Sequence, residues 1–138
     1  MRLVSGAFAV VLTLLFTHDA SAYARVQHRG SFGAFSNEVA SAARRGDMRA
    51  MRKLVDREFT VGEELGRDSS LSILAHDASA RHVLAITADR GACYRTGPKL
   101  VQCELPDAGP NLDHTKLRTS IAIFERGRRG WRLNAFYA

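Results

Sequence analysis

Apolar residues recur at two periods along this chain, helical over its first two thirds and strand-like over its last third. Phe35 and Ser36 look like a hydrophobic lead-in and an N-cap, and the spacing predicts a helix over 37–45 that stops at Gly46. Asp47 offers a second N-cap. The helix it opens, 48–55, places Met48, Met51, Leu54 and Val55 on one face and Arg45, Arg49, Arg52 and Lys53 on the other. The two methionines read as core filler. Phe59, Thr60 and Val61 are β-prone, and Gly62, Gly66 and Asp68-Ser69-Ser70 read as a loop. Helical spacing returns over 71–88, as one helix or as two broken near Asp77-Ala78, the latter favoured; Asp77 and Arg81 are spaced to pair.

After Gly91 the period falls to two. Val101, Cys103 and Leu105 alternate with polar neighbours, and PDAGPNLD, 106–113, is a loop by composition. Two alternating runs follow, 117–124 and 131–137, joined by Gly127-Arg128-Arg129-Gly130, the signature of a hairpin. The expected fold is α+β, with N-terminal helices packed on a C-terminal antiparallel sheet.

The N-terminus sets the expected compartment. Arg2 precedes an apolar run ending at Phe16, and Ala20-Ser21-Ala22 supplies the small residues of a cleavage site, so 1–22 reads as a signal peptide cut before Tyr23. Residues 23–34 have two glycines and no period and read as a flexible leader, leaving 35–138 as one domain. The expected product is secreted or periplasmic, with no transmembrane anchor after processing. In an oxidising compartment the only two cysteines, Cys93 and Cys103, read as a disulfide. Their spacing is not C-x-x-C, and no nearby pair supplies the further ligands that zinc needs. A turn at Thr96-Gly97-Pro98 would let the two flanking segments approach.

The chain carries 20 Lys and Arg against 14 Asp and Glu, a formal charge of +6, which removal of 1–22 leaves unchanged because Arg2 and Asp19 go together. That balance suits anionic partners, and export argues against nucleic acid. The candidate anion-binding residues are Arg45, Arg49, Arg52 and Lys53 on the second helix and Arg128 and Arg129 in the final hairpin, where Arg126 and Arg132 also lie. Solvation explains the helix charges as well, and protection against edge-to-edge pairing explains the hairpin charges. His28 falls in the leader and reads as exposed. His76 with Asp77, His82, and His114 after Asp113 are the weak catalytic candidates; a capping role suits Asp77 better. No nucleophile elbow or phosphate-cradling glycine loop is present, so the sequence requires no cofactor and no metal.

Two stretches carry a family likeness. FSNEVASAARRGDMRAMRKLVDREFTVG resembles the opening of NTF2-like (SnoaL-type) domains, and AIFERGRRGWRLNAFYA resembles their closing pair of strands. The pattern from Leu84 through Gly91 to the two cysteines is similar to exported bacterial proteins. The resemblance implies helices packed within a curved antiparallel sheet, and homodimers formed through the open sheet face. The favoured reading is a non-catalytic exported module that binds a small ligand or an anionic envelope component. The resemblance implies the alternative, a SnoaL-type isomerase or dehydratase using a His/carboxylate pair in a pocket.

Overall fold

The computed structural model describes residues 23–64, 66–106 and 119–138. The expected signal peptide, His114 and most of the 106–113 loop lie outside them. In chain order the elements are β1 (Arg25–Val26), α1 (Gly30–Arg45), α2 (Met48–Leu54), β2 (Val55–Val61), α3 (Arg67–His76), α4 (Ala78–Arg90), β3 (Ala92–Arg95), β4 (Leu100–Pro106), β5 (Thr119–Gly127) and β6 (Gly130–Tyr137). The architecture is α+β. One sheet runs β1-β3-β4-β5-β6-β2, and every pair is antiparallel except β2 with β6, which is parallel. That parallel edge departs from the purely antiparallel expectation.

The joints between helices follow local chemistry. Gly46 takes the left-handed conformation at φ 64°, and its N–H and that of Asp47 reach back to Ala43 O and Ala42 O. Asp47 Oδ1 then accepts from Ala50 N at 2.9 Å to open α2. Asp77 does the same for α4, accepting from Ala80 N at 2.9 Å. Arg81 does not pair with Asp77. Its Nη1 donates to Leu74 O and Ala75 O at 2.7 and 3.0 Å, satisfying carbonyls that the end of α3 leaves without partners.

The start of α1 differs most from expectation. The helix begins at Gly30 rather than Asn37, and Arg25–Val26 pairs with β3. Buried Phe32 causes this, meeting Phe124 and Trp131 edge-on at centroid distances of 5.4 and 5.1 Å. Gly33 is a packing requirement, since a Cβ there would lie 2.5 Å from the His28 carbonyl carbon. Ser36 sits inside the helix, buried, with Oγ donating to Gly33 O at 3.1 Å.

Two further boundaries move for tertiary reasons. α2 stops at Leu54 because β-branched Val55 enters β2 and is buried there with Phe59. α3 begins at Arg67, inside the expected loop, because Ser70 is buried; its Oγ donates to Phe59 O at 3.0 Å and accepts from Val61 N at 3.1 Å. Helices α1 and α4 pack on each other and on β4, β5 and β6, while α3 covers β2. The core between them holds Val39, Met51, Phe59, Leu74, Leu84, Val101, Phe124, Leu133 and Phe136. β5 turns Ser120, Ala122 and Phe124 inward and leaves Ile121 and Ile123 on the opposite, partly exposed face. Asn134 is an extra residue in β6, so Ala135 and Phe136 are both buried and Tyr137 faces out. Cys93 and Cys103 stand directly opposite each other on β3 and β4 and are disulfide-bonded.

Candidate functional site

The parallel pairing of β2 with β6 explains where the charge gathers. Val55 lies opposite Leu133, so the two strands start side by side. Each is preceded by a basic pair, Arg52-Lys53 at the end of α2 and Arg128-Arg129 in the turn before β6. The pairs therefore face one cleft of about 540 Å³, completed by Arg57 from β2, Arg67 from α3 and Arg132 from β6. Seven cationic side chains line it against two carboxylates, Asp56 and Glu58, and Val55 contributes apolar surface. Arg57 and Arg67 also line an adjoining recess of about 220 Å³ with Gly66, Asp68 and Ser69.

Most of this charge has no internal counter-ion. Arg52 meets Asp68 at 2.7 Å, an exposed pair of small worth. Among the described residues no carboxylate comes within ion-pair distance of Lys53, Arg57, Arg67, Arg128, Arg129 or Arg132. The Nε of Arg67 is buried and has no hydrogen-bond partner among the described residues. A buried donor left unmade costs about 1–3 kcal/mol, and more when charged, so folded proteins rarely keep one without reason.

Four of the six anion-binding candidates from the sequence thus converge: Arg52, Lys53, Arg128 and Arg129. Arg45 and Arg49 do not line the cleft. Arg45 is hydrogen-bonded to Ser41 Oγ and lies 3.9 Å from Asp47, and Arg49 is exposed on α2. Sequence reasoning missed Arg67, placed in a loop, and left Arg57 and Arg132 outside the six, although Arg132 stood among the hairpin arginines. Edge protection does not account for the hairpin arginines, because β5 and β6 are both interior strands and the edges are β1 and β2.

The histidines fall elsewhere. His76 and His82 are exposed on α3 and α4, and His76 Nδ1 lies 2.8 Å from Ser72 O within its own helix. Neither lines the cleft. His28, expected to be exposed, is partly buried. Its Nε2 lies 2.9 Å from Gly91 O and 3.4 Å from Cys93 Sγ, and its Nδ1 lies 3.3 Å from Ser36 Oγ. The ring tilts over Phe32 at 5.9 Å. It borders a recess of about 560 Å³ together with Arg25, Arg29, Gly91 and Cys93. No periodicity marks this histidine; only the packing of Phe32 and Gly33 brings it in. Among the described residues no group of three or more His, Cys, Asp or Glu is placed to hold a metal ion, and no helix is long and apolar enough to cross a membrane.

No family model matches the chain, and no curated protein matches it. Among solved structures it is similar to a candidate dehydratase of the NTF2-like family from Streptomyces avermitilis, at 20% identity over 78% of this chain and 91% of that one, with a TM-score of 0.47. It is also similar to a candidate ketosteroid isomerase from Shewanella frigidimarina, at 11% identity, 83% and 98% coverage and a TM-score of 0.46. A third is an NTF2-like protein with a cystatin-like fold from Novosphingobium aromaticivorans, at 18% identity, 78% and 77% coverage and a TM-score of 0.43. The resemblance to NTF2-like domains is one of fold, and at these values it assigns neither activity nor ligand.

Proposed function

We propose that this chain is an exported, non-catalytic binding module whose ligand is an anion held in the cleft between α2, β2, α3 and the β5–β6 turn. One observation carries the reading: seven cations line the cleft against two carboxylates, and among the described residues six of the seven have no carboxylate within ion-pair distance. An oxyanion supplies the missing charge, through hydrogen bonds about twice as strong as neutral ones. The lining includes no His, Cys or Ser, and its two carboxylates stand among seven cations, so its chemistry suits holding an anion. Export rests on the Ala20-Ser21-Ala22 site and fits a fold stapled by a disulfide.

The binding test is a calorimetric titration of inorganic phosphate into the purified protein and its Arg67→Ala variant. Binding by the parent that weakens about tenfold or more in the variant supports the reading. Equal affinity in both, or no heat from either, overturns it. Export is tested by the mass of the periplasmic product, expected to begin at Tyr23 and to carry the disulfide; a product that retains residues 1–22 overturns that part.

A further inference from the structure

Resting on that reading, we infer that the ligand is a polyanion bearing at least two phosphate or sulfate groups, which spans the cleft from the Arg57–Arg67 wall to the Arg128–Arg129 turn. The cations stand on two walls built from different elements. Arg52, Lys53, Arg57 and Arg67 come from α2, β2 and α3, whereas Arg128, Arg129 and Arg132 come from the turn and β6. A space of about 540 Å³ is of the size that holds a drug-sized ligand. A tetrahedral oxyanion has four oxygens, too few to take up the donors of seven cationic side chains at charge-assisted lengths of about 2.7–2.9 Å.

Charge points the same way. Seven cations less the two lining carboxylates and Asp68, which pairs with Arg52, leave an excess of four, which a single dianion does not balance. Arg128 and Arg129 are consecutive, exposed, and held side by side by a tight turn whose ends, Gly127 and Gly130, pair across the hairpin. Two adjacent guanidinium groups form a natural seat for one anionic group, and Arg57 with Arg67, which share the adjoining recess, forms a second.

The lining also limits what joins the anionic groups. Val55 is its only apolar side chain, so the connection is polar, as in a linear polyphosphate or the headgroup of a diphosphorylated lipid whose acyl chains stay outside. Both sources present the same chemistry to the cleft.

The experiment compares linear tripolyphosphate with orthophosphate by calorimetry at fixed ionic strength. It uses the disulfide-bonded protein, its Arg67→Ala and Arg129→Ala variants, and Arg49→Ala as an exposed control outside the cleft. Tripolyphosphate should bind the parent about tenfold tighter or better, with a steeper loss on added salt. Either cleft substitution should remove about tenfold of that affinity, and Arg49→Ala should leave it unchanged. Orthophosphate that binds as tightly as tripolyphosphate, yet weakens in Arg67→Ala, leaves the anion cleft standing and overturns the polyanion inference. No binding of either, or binding indifferent to both cleft variants, overturns both. Because Arg129 is on an exposed turn, its variant keeps the comparison informative even if Arg67→Ala folds poorly. Cosedimentation with phosphatidylcholine vesicles containing cardiolipin, reversed by tripolyphosphate, supports the inference with a lipid headgroup as the source. Tight tripolyphosphate binding without cosedimentation supports it with a soluble polyphosphate.

Discussion

Two recesses of nearly equal size, about 560 Å³ beside Cys93 and about 540 Å³ beside the β5–β6 turn, are finished in opposite ways. At the first, the histidine is answered from within, although among the described residues Arg25 and Arg29 at its rim are not. His28 is fixed by Gly91 O and Ser36 Oγ, Ser36 donates to Gly33 O, and the aromatic ring of Phe32 lies beneath. At the second, arginines from four elements meet with two carboxylates among them, and a buried N–H has no acceptor among the described residues. A histidine in a recess therefore marks structure here, and a surplus of cations marks the proposed binding site. Residue type alone would have suggested the reverse.

That contrast can be broken by substitutions that should act on one recess only. The largest effect is expected from Phe32→Ala, which leaves a cavity against Phe124 and Trp131 and should cost about 3–5 kcal/mol in urea unfolding. Anion affinity of the folded fraction should not change; a parallel loss would show that the recesses are coupled. Cys93→Ser with Cys103→Ser should cost about 2–3 kcal/mol in the chain-entropy model, measured the same way. His28→Ala removes anchors at Gly91 O and Ser36 Oγ and should lower stability by about 1–2 kcal/mol. A neutral result in a thermal melt would mean that β1 and the start of α1 hold without it. The smallest change is expected from Arg128→Ala, within about 0.5 kcal/mol without ligand. With tripolyphosphate at a hundredfold excess over the parent's Kd it should instead lose about half of the ~2.7 kcal/mol that the parent gains, as a tenfold weaker affinity requires.

What the sequence revealed was what short-range chemistry decides. The Gly46-Asp47 joint, the break at Asp77, the glycine-bounded hairpin turn and the disulfide each depend on a few neighbouring residues, and each lies where the pattern places it. The early start of α1, the strand β1 and the helical reading of Ser70 depend on distant partners. Gly30 and Gly33 look like looseness until the left-handed φ of 59° at the first and the close approach of the His28 backbone at the second are seen to require them. Both basic pairs of the cleft were visible, but not their meeting. That needs β2 to run parallel to β6, and no local residue announces a pairing between segments so far apart.

The same pairing orders events in time. β6 lies between β5 and β2, and Val55, reached early in the chain, finds its partner Leu133 only near the end of it. Until residues 130–137 are made, β2 has no neighbour in the sheet, and α2 and the turn arginines have nothing to bring them together. Completion by so distant a contact is slow compared with helix formation. The emerging polypeptide therefore carries its helices and the β1-β3-β4-β5 part of its sheet before β2 is joined to them. The cleft closes last, when the final strand slots into the gap that the rest of the sheet has left for it.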